Sequence, residues 1–241
     1  MAPPTPALTV HHLRIGQGER IPWLLEELSL PYTLTLYTRA PLLSPPPSKP
    51  STPSAPPPAI AEYLIHMHGN GRLALPPTHK DYADYLYWFH FVNATLQPGL
   101  FRRALTRGFT GGDEGSADVR WKGNDARART AIAHVDARLA ATDAYLAGSE
   151  FTAADVMMLW NFTTMRRFEP VDLRGCEAIQ AWVARCTRRE AYQRAMARAE
   201  PGLDLRENAS VGGPGMFEGF AEAMAGGRLG GRGSGSGSGR L

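Results

Sequence analysis

The stretch Glu150–Trp160, EFTAADVMMLW, predicts the helix around which the rest of the chain is organised. Thr152 is a favourable N-cap residue and Asp155 follows three positions later, so each side chain can accept a hydrogen bond from the other residue's free backbone N–H. Val156–Trp160 is apolar without interruption, which is typical of a helix buried on every side in a bundle. We therefore predict that Thr152 and Asp155 cap a core helix and serve folding rather than catalysis.

A strand, a helix and a second strand are predicted near the N-terminus. Leu8–Leu13 is rich in residues that favour strands, and Tyr32–Tyr37 alternates in polarity. The helix between them begins near Arg20 or Ile21, because Pro22 has no N–H to donate and fits only a first turn. This order predicts a βαβ unit with two parallel strands.

Pro41–Pro58 interrupts that pattern, since half of its residues are proline and only Lys49 is charged. The run cannot supply strand hydrogen bonds or a packed face, so an exposed polyproline-like linker is predicted. Recognition by a domain that binds proline-rich peptides is the functional alternative.

Helical periodicity dominates the rest of the chain. We predict an α/β N-terminal domain over residues 1–77 with the linker at 41–58, an all-helical domain over 78–205, and a disordered Gly/Ser-rich tail over 206–241. Helices are expected from Ala59 to Gly69, from Asp81 with a break at Pro98-Gly99, over 124–144, around Trp182, and over 188–199. The arginines of the last of these helices are interpreted as a solvated face.

Composition excludes several classes of function. The net charge is +3 and charges of both signs are interspersed, which argues against a nucleic-acid partner. No stretch reaches membrane-spanning length, so no membrane partner is expected. Cys176 and Cys186 form neither a CxxC motif nor a disulfide framework, which favours a reduced, cytoplasmic protein without a bound metal.

Four patches resemble the soluble glutathione S-transferases, particularly the fungal type. They are LTVHHLRIGQGERIPWLLEELSLPYTLTLY, AIAEYLIHMHGNGRL, YLAGSEFTAADVMMLW and AWVARCTRREAYQRAM, and together they span most of Leu8–Ala199. The resemblance implies a thioredoxin-like N-terminal domain followed by a helical bundle, usually in a dimer. It also implies glutathione as co-substrate, and it makes Thr152 and Asp155 the folding cap of the family.

The loop after the first strand departs from that family. Members of this type carry a hydroxyl residue there, which donates to the glutathione sulfur and lowers the pKa of its thiol. This chain has no Ser, Tyr or Cys between His11 and Leu28. The backbone of Gly16, Gln17 and Gly18, aided by the positive end of the next helix, could still stabilise a thiolate. Polar side chains near the thiol are predicted to be His12, Gln17 and Arg20, which could equally be ordinary surface residues.

The second departure is the proline-rich run itself. The third and fourth strands of the family, its cis-proline and the Glu-Ser pair that holds glutathione should lie between Tyr37 and Ala59, where Pro56 and Pro57 align with that pair. The N-terminal domain is therefore predicted to be incomplete. Either the glutathione site is degenerate, or an error in the gene prediction has replaced this segment.

The resemblance leads to a cytoplasmic transferase that conjugates glutathione to small apolar electrophiles, in detoxification or secondary metabolism. The electrophile is predicted to lie against Tyr85, Trp88 and Phe89, and a homodimer is possible. The missing hydroxyl motivates the alternative of a catalytically impaired binding or partner protein with the same fold. A glutathione-dependent isomerase is a third alternative.

Overall fold

The predicted βαβ unit forms the N-terminal part of the chain. The computed structural model describes residues 8–38, 56–110 and 116–217. Strands β1 (Leu8–Leu13) and β2 (Tyr32–Tyr37) pair in parallel, with Leu8 opposite Tyr32, and helix α1 (Arg20–Glu27) connects them. Within the described residues the sheet has these two strands. The predictions for the proline-rich run up to residue 55 and for the tail beyond residue 217 lie outside the described ranges.

Helices make up the remainder of the described chain, and two of them begin earlier than predicted. Helix α2 begins at Pro57 because proline is compatible with a first turn. Helix α5 begins at Val119 rather than at 124, because Asp118 caps it by accepting from the N–H groups of Arg120 and Trp121 at 2.8 and 3.2 Å. The helices are α2 (Pro57–Met67), α3 (Tyr82–Phe91), α4 (Gln97–Thr110), α5 (Val119–Thr142), α6 (Ala153–Leu159), α7 (Glu177–Thr187), α8 (Glu190–Ala199) and α9 (Leu205–Asn208).

A π-helical turn at Val92–Leu96 separates α3 from α4. The break was predicted at Pro98-Gly99, and it lies about one turn before that position. Proline lacks the N–H that would bond to the carbonyl four residues earlier, so the irregular turn forms on the N-terminal side of Pro98. Asn93 is thereby placed beside α1, where it becomes part of the site described below.

Helix α6 lies at the centre of the core. All seven of its residues are buried, and it contacts α1, α2, α3 and α7. The N-terminal βαβ unit and the helical bundle thus share one hydrophobic core. The uninterrupted apolar run after the cap therefore forms a buried core helix, as its sequence predicts.

Salt bridges join α1 to α8 along the boundary of the two domains. Arg189 donates to both carboxylate oxygens of Glu27 at 2.6 and 2.7 Å. Arg194 and Arg198 pair with Glu26 at 3.0 and 2.8 Å. Arg188, Arg194 and Arg198 are exposed, which agrees with the interpretation of these arginines as a solvated face. The sequence did not indicate their acidic partners, because these lie on a helix that is remote in the sequence.

Ordered structure continues past the predicted domain boundary at residue 205. Helix α9 follows it, and the chain then bonds back to the bundle, where Val211 accepts from the Leu173 N–H at 3.0 Å and Phe217 donates to the Arg167 carbonyl at 2.8 Å. Residues 206–217 therefore do not belong to a disordered tail.

Candidate active site

A cavity of about 760 Å³ lies between β1, the loop that follows it, and α2. This volume is in the usual range for a small-molecule site. Most of the wall is apolar, and its polar part includes the loop residues Gly16, Gln17 and Gly18 together with Asn93. The wall also includes Leu8, Thr9, Val10, His11, Leu13, Ile21, Leu25, Pro56, Pro57, Pro58, Ile60, Tyr63 and Leu64.

The loop between β1 and α1 is short and leads directly into the helix. Ile15 has φ 52°, a left-handed conformation that is rare for a β-branched residue and stores backbone strain. Gly16 is extended, and the residues from Gln17 to Glu19 form one 3₁₀ turn that leads directly into α1. Positive charge at the start of a helix favours a bound anion, so the predicted thiol position is electrostatically suited to a thiolate.

His12 lies beneath this loop and does not line the cavity. Its side chain is fully buried, and its Nε2 lies 2.7 Å from Oε1 of Glu200, which is also buried. The same oxygen accepts a hydrogen bond from the Ile15 N–H at 2.6 Å. His12 was predicted to bind glutathione, but in this conformation its ring is held within the protein.

Glu19 lies at the other end of the loop and is likewise buried. It accepts a hydrogen bond from the Thr164 hydroxyl at 2.7 Å, and Asn208 in turn donates to that hydroxyl at 3.0 Å. Burial raises the pKa of the Glu19 carboxyl well above its usual range, and the nearby charge of Glu200 raises it further.

Arg20 is buried behind the cavity wall rather than exposed in it. It donates to Oδ1 of Asn93 at 3.2 Å and to Oε1 of Gln97 at 2.5 Å, and its guanidinium lies 4.9 Å from the centre of the Trp160 ring. Burial lowers its pKa to about 9, so it remains charged at neutral pH. Its positive charge therefore lies next to a cavity-lining amide.

Gln17 is the predicted glutathione-binding side chain that reaches the cavity. It is exposed, and its Oε1 accepts from Nε2 of Gln97 at 2.7 Å. Gln97 also accepts from Arg20, so the two amides connect the buried cation to the loop. The structure thus brings Gln17 to the cavity with Gly16 and Gly18, and places His12 and Arg20 behind its wall.

The three aromatic residues predicted to hold an electrophile lie in the helical core. Tyr85, Trp88 and Phe89 are all buried, and none of them lines the cavity. Trp88 stacks on His134 with a centroid distance of 4.9 Å, and the Tyr85 and Phe89 rings lie 5.7 Å apart. These aromatic side chains pack the helices against one another. In this structure they are therefore not available to contact an electrophile in the cavity.

The predicted folding cap is present. The Thr152 hydroxyl accepts from the Ala154 N–H at 3.3 Å, and Asp155 accepts from the Thr152 N–H at 3.0 Å. Asp155 also accepts from the Leu146 N–H at 3.1 Å and from the Trp182 indole N–H at 2.9 Å. The cap therefore fastens two further segments to the start of α6.

Two residues of the site were missed by the sequence reasoning. Glu200 lies just beyond the helix predicted over 188–199, and nothing in the neighbouring sequence indicated a partner near residue 12. Asn93 had a signal, because it is a polar side chain at the end of an apolar, aromatic-rich run and shortly before a proline. A polar residue in such a run deserves consideration as part of a site.

Metal-binding groups, membrane-spanning helices and reactive cysteines are the other features that bear on function. In residues 8–38, 56–110 and 116–217, no group of three or more His, Cys, Asp or Glu side chains is arranged to hold a metal ion. Across that same portion of the chain, no helix is long and apolar enough to cross a membrane. Cys186 is buried in α7 and Cys176 is partly buried, and both are free thiols.

Residues 117–190 match the family model of the glutathione S-transferase C-terminal domain. The chain is also 26% identical over 224 residues to glutathione S-transferase 3 of Schizosaccharomyces pombe, an alignment that covers 80% of this chain and 88% of the relative. The resemblance to the glutathione S-transferases is thereby confirmed: the chain carries a match to their C-terminal domain and is similar over most of its length to a fungal member.

Solved structures share the fold over most of the chain. A glutathione S-transferase from Actinobacillus pleuropneumoniae has a TM-score of 0.65 at 21% identity, covering 83% of this chain and 98% of its own. A glutathione transferase homologue from Lodderomyces elongisporus with two glutathione molecules per subunit has a TM-score of 0.60 at 16% identity, covering 80% and 99%. These matches confirm the fold class, a thioredoxin-like domain, of which two strands are among the described residues, followed by a helical bundle.

Proposed function

We propose that this protein is a glutathione transferase that binds the glutathione thiol at the Gly16–Gly18 loop. The observation that carries the proposal is a cavity of about 760 Å³ whose wall includes this loop, next to the start of α1. The Lodderomyces elongisporus homologue of the same fold contains glutathione, which supports the choice of co-substrate.

The proposed reaction needs a thiolate held close to an electrophile. Backbone N–H groups of the loop and the positive end of α1 stabilise the thiolate and lower the pKa of the thiol. The buried charge of Arg20 adds to this positive potential. The sulfur then donates its electron pair to an electrophilic carbon, a C–S bond forms, and the leaving group departs with the electrons of the bond that breaks.

The cavity suits an apolar electrophile better than a charged one. Val10, Ile60 and Tyr63 contribute to its wall, and they replace the core aromatics as the proposed contacts of the electrophile. Among the described wall residues there is no lysine or arginine to pair with the two glutathione carboxylates. We therefore expect weaker glutathione binding than a complete set of charged partners would provide.

Purified protein tests the proposal directly. It should form thioether products from glutathione and at least one member of a panel of standard electrophiles, detected by absorbance and by mass spectrometry. Glutathione binding without turnover would favour the catalytically impaired binding protein, for which the missing hydroxyl in the loop argues. Rearranged substrate without a thioether would favour the isomerase. Neither binding nor turnover would refute the proposal.

Restoring a hydroxyl to the loop should raise activity. We expect Gly16→Ser to increase kcat/KM about tenfold, because a side-chain O–H adds a donor to the sulfur where this chain has only backbone groups. Gly16 is extended, so serine fits its backbone conformation. The matched control is Gly16→Ala, which adds the same Cβ without a donor. Equal rates for the two variants would mean that the sulfur does not bind at Gly16.

We further propose a cytoplasmic homodimer, as the family resemblance implies. Large apolar side chains are exposed on four helices of the described chain: Tyr63 and Met67 on α2, Tyr87 on α3, Phe101 and Phe109 on α4, and Val119 on α5. Exposed apolar groups of this size favour an interface between copies. Sedimentation velocity at micromolar concentration gives the oligomeric state, and a monomer would refute this assignment.

A further inference from the structure

The carboxylate of Glu200 joins the C-terminal domain to the end of β1. Glu200 directly follows α8 and is buried. Its Oε1 accepts from the Ile15 N–H at 2.6 Å and lies 2.7 Å from Nε2 of His12, while its Oε2 lies 3.5 Å from Nε of Arg14. Arg14 also donates to the Pro201 carbonyl at 2.7 Å. The residues His12, Arg14 and Ile15, which lead into the loop, thus contact Glu200 and Pro201, which follow α8.

These contacts determine where the loop begins. Ile15 has the left-handed φ of 52°, which a β-branched residue adopts only when its surroundings impose it. The hydrogen bond from its N–H to Glu200 is a contact that can impose this conformation. The next residue is Gly16, the first loop residue in the cavity wall. A change at Glu200 should therefore move the loop rather than α8.

The same pair of side chains supports the other end of the loop. A Cβ added at Gly18 would lie 2.9 Å from Nδ1 of His12, so the backbone of the loop rests directly on the imidazole. Glu200 holds the opposite nitrogen of that ring. Glu200 therefore orders Gly16 through Ile15 and supports Gly18 through His12.

We infer that Glu200 is a positioning residue for the thiol site. It holds the Gly16–Gly18 loop in the position from which the backbone N–H groups of the loop can donate to the glutathione sulfur. This inference rests on the proposed function for the identity of the ligand. Its physical basis is the need for fixed donors, since a donor misplaced by about 1 Å can reduce a rate by roughly 100-fold. A carboxylate from the other domain supplies the fixed point that a short glycine loop lacks.

The experiment compares Glu200→Ala and Glu200→Gln with wild type. We expect Glu200→Ala to lower kcat/KM for glutathione conjugation about 10- to 100-fold and to move its pH profile to higher pH, because poorly placed donors lower the thiol pKa less. Glu200→Gln should recover most of the loss, since its amide oxygen can still accept from the Ile15 N–H. Glu190→Ala is the matched control at the opposite end of α8, where the side chain is 93% exposed, and it should match wild type.

Amide hydrogen exchange gives a second measurement that does not depend on activity. In Glu200→Ala, exchange at Ile15–Glu19 should rise about tenfold or more while the core helix α6 stays protected. Unchanged exchange in the loop would overturn the inference whatever the enzyme does. Increased exchange with unchanged kcat/KM and pH profile would overturn the catalytic role of the positioning. A wild-type protein that neither binds nor conjugates glutathione would refute the proposed function, and with it the thiol role, while exchange would still decide whether Glu200 holds the loop.

Discussion

Asp155→Ala is expected to lower the free energy of unfolding by about 3–5 kcal/mol, because it leaves several buried donors without an acceptor. Asp155 is fully buried and accepts from the backbone N–H groups of Thr152 and Leu146 and from the indole of Trp182. Each of these donors would have to remain unpaired in the core or find water at the cost of packing. Urea unfolding followed by circular dichroism measures the difference.

Thr152→Ala is the matched control for Asp155→Ala. It removes the other half of the cap, and an N-cap substitution costs about 1–2 kcal/mol. Its hydroxyl serves the Ala154 N–H and Asp155 within the cap, whereas Asp155 also reaches Leu146 and Trp182. Equal losses for the two variants would contradict the assignment, because Asp155 would then contribute nothing beyond local capping.

The pH dependence of this difference has a definite sign. Burial raises the pKa of the Asp155 carboxyl to about 6, so the folded chain keeps its proton at a pH where the unfolded chain, with a pKa of about 3.9, has lost it. The stability that Asp155 contributes is therefore fully present below about pH 4 and partly lost as the pH rises through about 6. The gap between wild type and Asp155→Ala should narrow over that window. A gap that widens would mean that the hydrogen bonds outweigh burial and lower the pKa.

The second large effect is expected at Arg166, which holds the C-terminal segment against the bundle. Its buried guanidinium donates to the carbonyls of Val171, Ser210 and Val211 at 2.7, 2.6 and 2.7 Å. Arg166→Met should lower the free energy of unfolding by about 3 kcal/mol, because three hydrogen bonds from a buried charged group are lost. Limited proteolysis should cut the variant first within residues 209–217.

Two further variants make the Arg166 result specific. Arg174→Met is the control, since that side chain is 83% exposed and its loss should change stability by no more than about 0.5 kcal/mol. Gly213→Ala disturbs the contact between Arg166 and the C-terminal segment from within that segment. Gly213 has φ 87°, and an added Cβ would lie 2.7 Å from Nη2 of Arg166. It should expose the same segment to protease although the arginine itself is retained, because the added Cβ and the guanidinium cannot both keep their positions. Resistance of both variants at residues 209–217 would show that Arg166 does not anchor this segment.

The local elements of the fold were predictable from the sequence. The cap of α6 depends on Thr152 and Asp155, which are three residues apart, and the βαβ unit depends on periodicity and on Pro22 within one short stretch. The predicted first residues of α2 and α5 were less accurate, because several neighbouring residues in each segment could begin a helix. The turn at Gly16–Gly18 was predictable for the same local reason, since strand and helix signals enclose it, and the structure shows these residues in the cavity wall.

The sequence alone therefore determined the capped core helix, the parallel strand pair and the succession of helices, because each depends on neighbours within a few residues. Only the tertiary structure decided which side chains surround the loop. His12 meets Glu200 across 188 positions, and Arg20 meets Asn93 across 73. It also placed Trp88 in the core instead of the cavity. Periodicity identifies which residues are apolar or polar along one element, but the partner of a buried charge depends on how separate elements pack, and no local pattern contains that information.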